Sequence, residues 1–183
     1  MRPRLRAPKP PVPFHVVLVE PEIPQNTGNI ARLCAATQCP LHLVGRLGFS
    51  LDEKAVRRAG VDYWHLVDVR QHAAWGDFAA AHGGGRVRLF AASGARSYLD
   101  AAFAPGDALV FGRESVGLPR ELLEAHAGEV YGIPTLGAVR SLNLASAAAV
   151  VVYEALRQTG ALAGAALEEP PPGAHPEPDD FPR

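Results

Sequence analysis

Two short segments in the last third of the chain carry the residue types of a ligand site. The first reads Phe-Gly-Arg-Glu at 111–114, and the second reads Arg-Ser-Leu-Asn-Leu at 140–144. Each follows a short apolar run and precedes a helical pattern, which is where parallel α/β proteins place their ligand loops. Gly112, directly after a strand, allows main-chain groups to come close to a flat ligand such as adenine. The pattern predicts a small-molecule site in the C-terminal half.

Alternating strand and helix patterns position these segments. The unbroken apolar run at 14–19 is typical of a strand covered on both faces. Further strands are predicted at 41–44, 66–69, 87–91, 108–111 and 130–133. Helices are predicted at 26–37, 52–59, 71–82, 119–126 and 144–158. This order predicts an α/β fold with a largely parallel sheet and helices on both faces.

The last predicted helix is apolar on nearly every side over residues 144–156. A surface helix shows a polar stripe, so this one needs cover on two sides. A second subunit could supply the second cover, which favours a symmetric dimer. The alternative is a central helix buried within one chain.

Length and composition indicate one globular domain with irregular ends. The 183 residues suffice for one core, predicted at 14–158. Residues 1–13 form a basic, proline-rich extension without the apolar segment of a secretion signal, so the predicted location is cytoplasmic. Residues 159–183 form an acidic, proline-rich tail, predicted to be disordered. No apolar run is long enough to span a membrane.

Charge and motif content are compatible with RNA binding and argue against several common enzyme classes. Residues 1–158 hold 17 basic and 14 acidic residues, a mildly basic balance compatible with RNA binding. The sequence lacks the usual dinucleotide, nucleoside triphosphate, serine hydrolase and zinc protease motifs. Its seven histidines show no metal-ligand spacing, which favours structural roles and no metal. Cys34 and Cys39 are predicted to be reduced residues in or near the core.

Three motifs in order resemble the SPOUT methyltransferases. Residues 20–32 read Glu-Pro-Glu-Ile-Pro-Gln-Asn-Thr-Gly-Asn-Ile-Ala-Arg, and the segments at 111–114 and 141–144 complete the set. Together with Arg-Arg-Ala-Gly-Val-Asp-Tyr at 57–63, they are most similar to the TrmL type, which methylates the ribose of the wobble cytidine or uridine in tRNA. The likeness covers about residues 16–158. It implies a C-terminal trefoil knot, which chain-topology rules would not predict.

The resemblance also implies a cofactor and its site. Family members bind S-adenosylmethionine with their knot loops and work as homodimers through the last helix. The implied cofactor residues are Ala92, Gly112, Ile133, Ser141 and Leu142. Two local departures, Ala145-Ser146 and the sequence Thr-Leu-Gly-Ala-Val at 135–139, suggest a differently shaped cofactor loop.

Three residues are candidates for catalysis on an RNA substrate. Arg32 is the key residue of the first family motif, and helical geometry points it away from the core. A guanidinium does not lose its proton, so Arg32 is expected to hold a phosphate and stabilise the developing alkoxide. Asn26 is either a helix cap or a substrate contact. Tyr153 aligns with a family tyrosine near a dimer-spanning site, although a tyrosine on an apolar helix is more often a core residue.

Basic side chains are candidates for phosphate contacts, with a solvated helix face as the alternative; these are Arg46, Lys54, Arg57 and Arg58. The predicted activity is 2′-O-methylation of the wobble nucleotide of tRNA. The alternatives are methylation of another tRNA or rRNA ribose, and a noncatalytic RNA-binding dimer.

Overall fold

The computed structural model describes residues 3–8, 13–51 and 64–168, and these build one parallel sheet and a short separate ribbon. The ribbon pairs β1 (Arg4–Arg6) with β9 (Ala166–Glu168). The sheet strands are β2 (His15–Val19), β3 (Leu41–Val44), β4 (Val69–His72), β5 (Val87–Phe90), β6 (Arg96–Ser97), β7 (Ala108–Phe111) and β8 (Val130–Gly132). Their order is β4-β3-β2-β7-β5-β8-β6, and every neighbouring pair is parallel.

Four α-helices in the described residues complete the layers. They are α1 (Pro24–Thr37), α2 (Trp75–Ala81), α3 (Arg120–Ala125) and α4 (Leu144–Gln158). Short 3₁₀ turns occupy Trp64–Leu66, Tyr98–Asp100 and Ala127–Glu129. The predicted last helix has the same bounds as α4. The predicted helix at 52–59 lies outside the described residues.

Two predicted elements are wrong in position. A strand was expected at 66–69, but residues 64–66 form a 3₁₀ turn and β4 begins at Val69. The helix expected at 71–82 is correspondingly shortened to α2. The reason is that β4 is an edge strand with exposed polar side chains at Arg70 and Gln71, so no apolar run marks it.

Alternation along the strands divides the core into two apolar clusters on opposite faces of the sheet. Val16 and Leu18 belong to a cluster with Ile30 of α1 and Val151 of α4. Val17 belongs to a second cluster, which includes residues of α2 and α3. Helices therefore cover both faces, as the sequence predicts.

Strand β8 lies between β5 and β6, although only residues 91–95 separate those two strands in sequence. Segment 91–95 must therefore cross the chain that leaves β8. The crossing is close, because a Cβ on Gly94 would lie 2.2 Å from the carbonyl carbon of Tyr131. Such a crossing is what the expected knot requires, and the knot itself stays a prediction.

The ribbon involves both segments that were predicted to be irregular. Arg4 pairs with Glu168, and Leu5 pairs with Leu167, in antiparallel register. These six residues are exposed and are joined through main-chain pairing. The domain boundaries remain predictions, since residues 9–12 and 169–183 lie outside the described part.

Candidate active site

A cavity of about 930 Å³ opens where the central strands end. Its floor is the carboxyl ends of β5, β7 and β8, and its walls are the segments that follow them. The N-terminus of α4 and the first turn of α1 close one side through Asn143 and Asn26. The site is therefore at the strand edge that the ligand-loop pattern predicts.

The five residues predicted to bind the cofactor all line this cavity. Ala92 follows β5, Gly112 follows β7, and Ile133 follows β8; Ser141 and Leu142 come just before α4. Parallel strands bring their carboxyl ends to one edge, which is why residues up to 50 positions apart meet here. Their binding of a cofactor stays a prediction.

Gly112 stands where no side chain fits. A Cβ at this position would lie 2.2 Å from the carbonyl carbon of Gly117 and from the amide nitrogen of Leu118. The loop closes on itself through mutual hydrogen bonds between Arg113 and Gly117, with N···O distances of 3.0 and 2.9 Å. The absent side chain keeps the main chain of this loop accessible to the cavity.

An amide–carboxylate chain joins the first motif to the two later ones. Asn143 donates from Nδ2 to Oδ1 of Asn26 at 2.9 Å, and Asn26 donates from Nδ2 to Oε1 of Glu114 at 3.0 Å. The Glu114 carboxylate also accepts the main-chain N–H groups of Glu22 and Ile23. These bonds span sequence separations of 88 and 117 residues, so they lock three distant segments into one cavity wall.

The helix-cap interpretation of Asn26 is wrong. Helix α1 begins two residues earlier than predicted, with Pro24 in its first turn and Ile23 as its N-cap residue. Asn26 lies inside the first turn, is buried, and uses its amide on Glu114 and Asn143. The residue that does cap a helix is Asn143, whose Oδ1 accepts from the amides of Ala145 and Ser146.

Two further contacts hold the Gly112 loop against the segment before α1. Arg113 forms an ion pair with Glu20, and Glu22 accepts the main-chain N–H of Ser115 at 3.0 Å. Hydrogen bonding to Ser115 lowers the pKa of Glu22 below its usual value, so this acceptor stays ionised. Together with Glu114 of the loop itself, Glu20 and Glu22 therefore join the loop to the segment before α1.

Arg32 and Tyr153 do not line the cavity of their own chain. Arg32 is exposed on α1, as predicted, and Tyr153 is 48% exposed on α4. Tyr153 is therefore not a core residue of the single chain. With Val150, 37% exposed, it marks an apolar side of α4 that the described residues leave uncovered. The alternative in which one chain buries the whole helix does not hold for that part.

The remaining predictions concern the basic residues, the two cysteines, a metal site and a membrane span. Arg46 is exposed and outside the cavity lining, while Lys54, Arg57 and Arg58 lie outside the described residues. Cys34 and Cys39 are buried free thiols, and burial raises the pKa of both. Within the described ranges, no group of His, Cys, Asp or Glu could hold a metal ion, and no helix is long and apolar enough to cross a membrane.

Sequence reasoning did not assign roles to three residues of the cavity wall. Glu114 and Asn143 lie within the recognised motifs, and an Asn before a helical run is a cap signal that could have found Asn143. Arg140 lines the cavity one residue before Ser141. Its place in the segment 140–144 marks it as part of a ligand site, but the sequence does not show whether its side chain is available, because that depends on which partners surround it in the fold.

The sequence of this chain is similar to those of known RNA methyltransferases. The profile of the SpoU rRNA methylase family matches residues 13–153. A tRNA (cytidine(34)-2′-O)-methyltransferase of Burkholderia ambifaria is 48% identical over 155 residues, which cover 83% of this chain and 99% of that protein.

Solved structures show the same relationship. A structure described as giving insights into the 2-OH methylation of C/U34 on tRNA is 50% identical, with a TM-score of 0.75, and the match covers 79% of this chain and 95% of that one. The methyltransferase AviRb of Streptomyces viridochromogenes, in complex with AdoMet, is 26% identical with a TM-score of 0.66, covering 81% and 62%.

Together with these comparisons, the fold and the cavity define an RNA methyltransferase of the α/β class, as the sequence motifs predict. More particularly, the chain belongs to the SpoU rRNA methylase family.

Proposed function

We propose that this protein transfers a methyl group from S-adenosylmethionine to the ribose 2′-hydroxyl of the wobble nucleotide of tRNA, a cytidine or uridine at position 34. The observation that carries the proposal is that all five predicted cofactor residues line one cavity. The relatives named for cytidine 34 support the choice of nucleotide. The substrate implies a cytoplasmic protein.

The cavity fits the cofactor in size and chemistry. Its volume of about 930 Å³ is within the range of small-molecule sites and leaves room for a nucleotide beside the methyl donor. Main-chain groups at Gly112 and Ile133 suit hydrogen bonds to the edge of the adenine. Ala92, Ser141 and Leu142 suit contacts to the rest of the cofactor. The bound cofactor supplies a sulfonium methyl group, which already has a good leaving group.

The protein's contribution is to position the hydroxyl and to stabilise the charge that develops on it. The Asn143–Asn26–Glu114 chain holds the cavity wall rigid. Arg32, which stays protonated, suits a phosphate contact and stabilisation of the alkoxide. Tyr153 suits a contact to the RNA.

Arg32 and Tyr153 require a second subunit for these roles. Both lie outside the cavity of their own chain, on exposed faces of the two helices that pack together, α1 and α4. The uncovered apolar side of α4 suits a homodimer interface. In such a dimer, residues from one subunit would complete the cavity of the other.

Methylation of a tRNA pool with isotope-labelled S-adenosylmethionine tests the proposal. Nuclease mapping and mass spectrometry should locate the label on the 2′-oxygen of nucleotide 34. Label on another tRNA ribose, or on an rRNA ribose when rRNA is offered in a parallel assay, would replace the proposed nucleotide. No methyl transfer, with no cofactor binding at millimolar concentration by calorimetry, would favour a noncatalytic RNA-binding dimer.

Arg32→Ala tests the catalytic assignment in the same assay. Loss of a charge-stabilising group should lower kcat by about 100-fold or more while cofactor affinity stays nearly unchanged. Arg120→Ala is a matched control, since Arg120 is an exposed arginine outside the cavity lining. Unaltered activity of Arg32→Ala would rule out the assigned role.

A further inference from the structure

Four charged side chains line the cavity, and three of them are engaged within the chain. Arg96 donates to the carbonyl of Gly128 at 2.7 Å and lies 4.7 Å from the ring centroid of Tyr131. Arg113 is paired with Glu20. Glu114 accepts three hydrogen bonds, from Asn26 and two main-chain amides.

Arg140 differs from these three. Its side chain makes no hydrogen bond or ion pair with any residue in the described ranges, and it is exposed at the rim of the cavity. A guanidinium offers five N–H donors in a planar fork that matches phosphate and carboxylate oxygens. An unpaired guanidinium facing a ligand cavity is therefore available for an anion.

The surroundings of Arg140 favour a ligand that arrives from solvent. The whole segment 134–143 is exposed, and it presents apolar side chains at Leu136 and Val139, the latter 61% exposed. Charge and apolar surface side by side suit a single-stranded nucleic acid, which offers phosphates and unstacked bases together. A carboxylate of the small cofactor would instead be expected at an enclosed position.

We propose that Arg140 binds a backbone phosphate flanking the target ribose and thereby holds the RNA at the cavity. The inference rests on the proposed function, because it needs an RNA acceptor. In a nucleotide, the 2′-oxygen and the 3′-phosphate are carried by adjacent ribose carbons. A cation at the rim can therefore hold the phosphate while the hydroxyl faces the methyl donor inside.

The test compares Arg140→Ala and Arg140→Lys with the full-length wild-type protein. Arg140→Ala should raise KM for tRNA about tenfold with little change in kcat, because a charge-assisted contact to bound substrate is lost. Arg140→Lys should recover part of the loss, since it keeps the charge but not the fork. Cofactor affinity by calorimetry should be unchanged in both.

Salt dependence separates a phosphate contact from a general structural effect. For Arg140→Ala, the slope of log affinity for tRNA against log salt should fall by about 0.7, the value for one phosphate contact in a single strand. Arg120→Ala, which removes the same charge outside the cavity lining, should keep the wild-type slope.

Two results would overturn the inference. One is an unchanged KM and salt slope for Arg140→Ala. The other is a tenfold loss of cofactor affinity with unchanged tRNA binding, which would assign Arg140 to the cofactor. Failure of the wild type to methylate nucleotide 34 would instead contradict the proposed function, and the binding slopes would still decide the role of Arg140. If the wild type bound no tRNA, both would be wrong.

Discussion

At the amino ends of the central strands, polar side chains form a closed cluster, whereas the carboxyl ends of the same strands hold the open cavity. The closed cluster consists of Arg86, Arg88, Asp107, Glu129 and Tyr131. Its centre is the buried Arg88, which is bonded to Asp107, to Glu129 and, at 2.8 Å, to the carbonyl of Ala102. Asp107 accepts further bonds from Arg86 and from the amide of Ala104.

The difference shows how satisfied and available polar groups can be told apart. In the closed cluster, the charges face partners within the chain, so it can stabilise the fold but offers nothing to a ligand. In the cavity, the side-chain amides of Asn26 and Asn143 and the Glu114 carboxylate are hydrogen-bonded to one another. Arg140 at the rim has no partner in the described residues. The following changes should therefore affect binding at one end and stability at the other.

The largest effect is expected from Gly112→Ala at the cavity. The new Cβ would overlap the main chain of Gly117 and Leu118, so the loop must move. The methyl-transfer rate should fall about 100-fold or more, since a displacement of about 1 Å can cost that much, and cofactor affinity, measured by calorimetry, should fall with it. Gly128→Ala is the matched control, because a Cβ there meets nothing within 4 Å. Equal cofactor affinities of the two variants would contradict the assignment of the loop.

Arg88→Ala should act on stability. It leaves the buried Asp107 without one of its two arginines and Glu129 without its ion pair, which should cost about 3 kcal/mol of unfolding free energy. Urea denaturation measures the loss. Arg120→Ala breaks an exposed pair and should cost less than about 0.5 kcal/mol. If the folded Arg88→Ala protein lost cofactor affinity while its stability was unchanged, the contrast between the two ends would be wrong.

Asn143 combines both kinds of role, and two substitutions separate them. Asn143→Asp keeps the oxygen that caps α4 but loses the N–H donor to Asn26, so stability should hold while methyl transfer falls about tenfold. Asn143→Ala loses the cap as well and should also cost about 1 kcal/mol of stability. Thermal melts and initial rates give the two readouts. A fully active Asn143→Asp protein would show that the bond to Asn26 is dispensable.

The last prediction concerns a histidine chain on the sheet, remote from the cavity lining, and its effect develops only on acidification. The Nδ1 of His15 lies 2.9 Å from the Nε2 of His42, and the Nδ1 of His42 lies 2.9 Å from the Nε2 of His72. Burial, with the neighbouring His82 and Arg70, lowers the pKa of His15 to about 4 despite Asp68. Burial, with His15, His72, Arg70 and His82, lowers that of His42 to about 3.

These shifts predict a pH dependence of stability with a definite sign. Because the folded pKa values lie below the unfolded value of about 6.5, the unfolded chain takes up protons first as the pH falls. The urea midpoint should therefore decline from about pH 6.5 towards pH 4. His15→Gln should flatten this decline, because it removes one of the two histidines with a lowered pKa. A midpoint that rises on acidification would contradict the assigned shifts.

Local patterns were sufficient for much of the architecture. The alternation of apolar runs and helical periods predicted the parallel sheet, and the bounds of α4 match the prediction. The predicted position of β4 was wrong, because this exposed edge strand has no apolar run. The motifs around Gly112 and Ser141 also located the cavity, because parallel strands necessarily end at the same edge.

The class of fold, the ligand edge and the candidate cofactor residues could therefore be predicted from short-range patterns and motifs. The bridge that Asn26 forms between Glu114 and Asn143, in place of a cap on α1, is visible only in the folded chain, as is the position of Arg32 and Tyr153 outside their own cavity. The availability of Arg140 also emerged only there. Hydrogen bonds between residues about 90 to 120 positions apart leave no local periodicity, and an arginine is available or engaged only according to which partners the fold brings within reach.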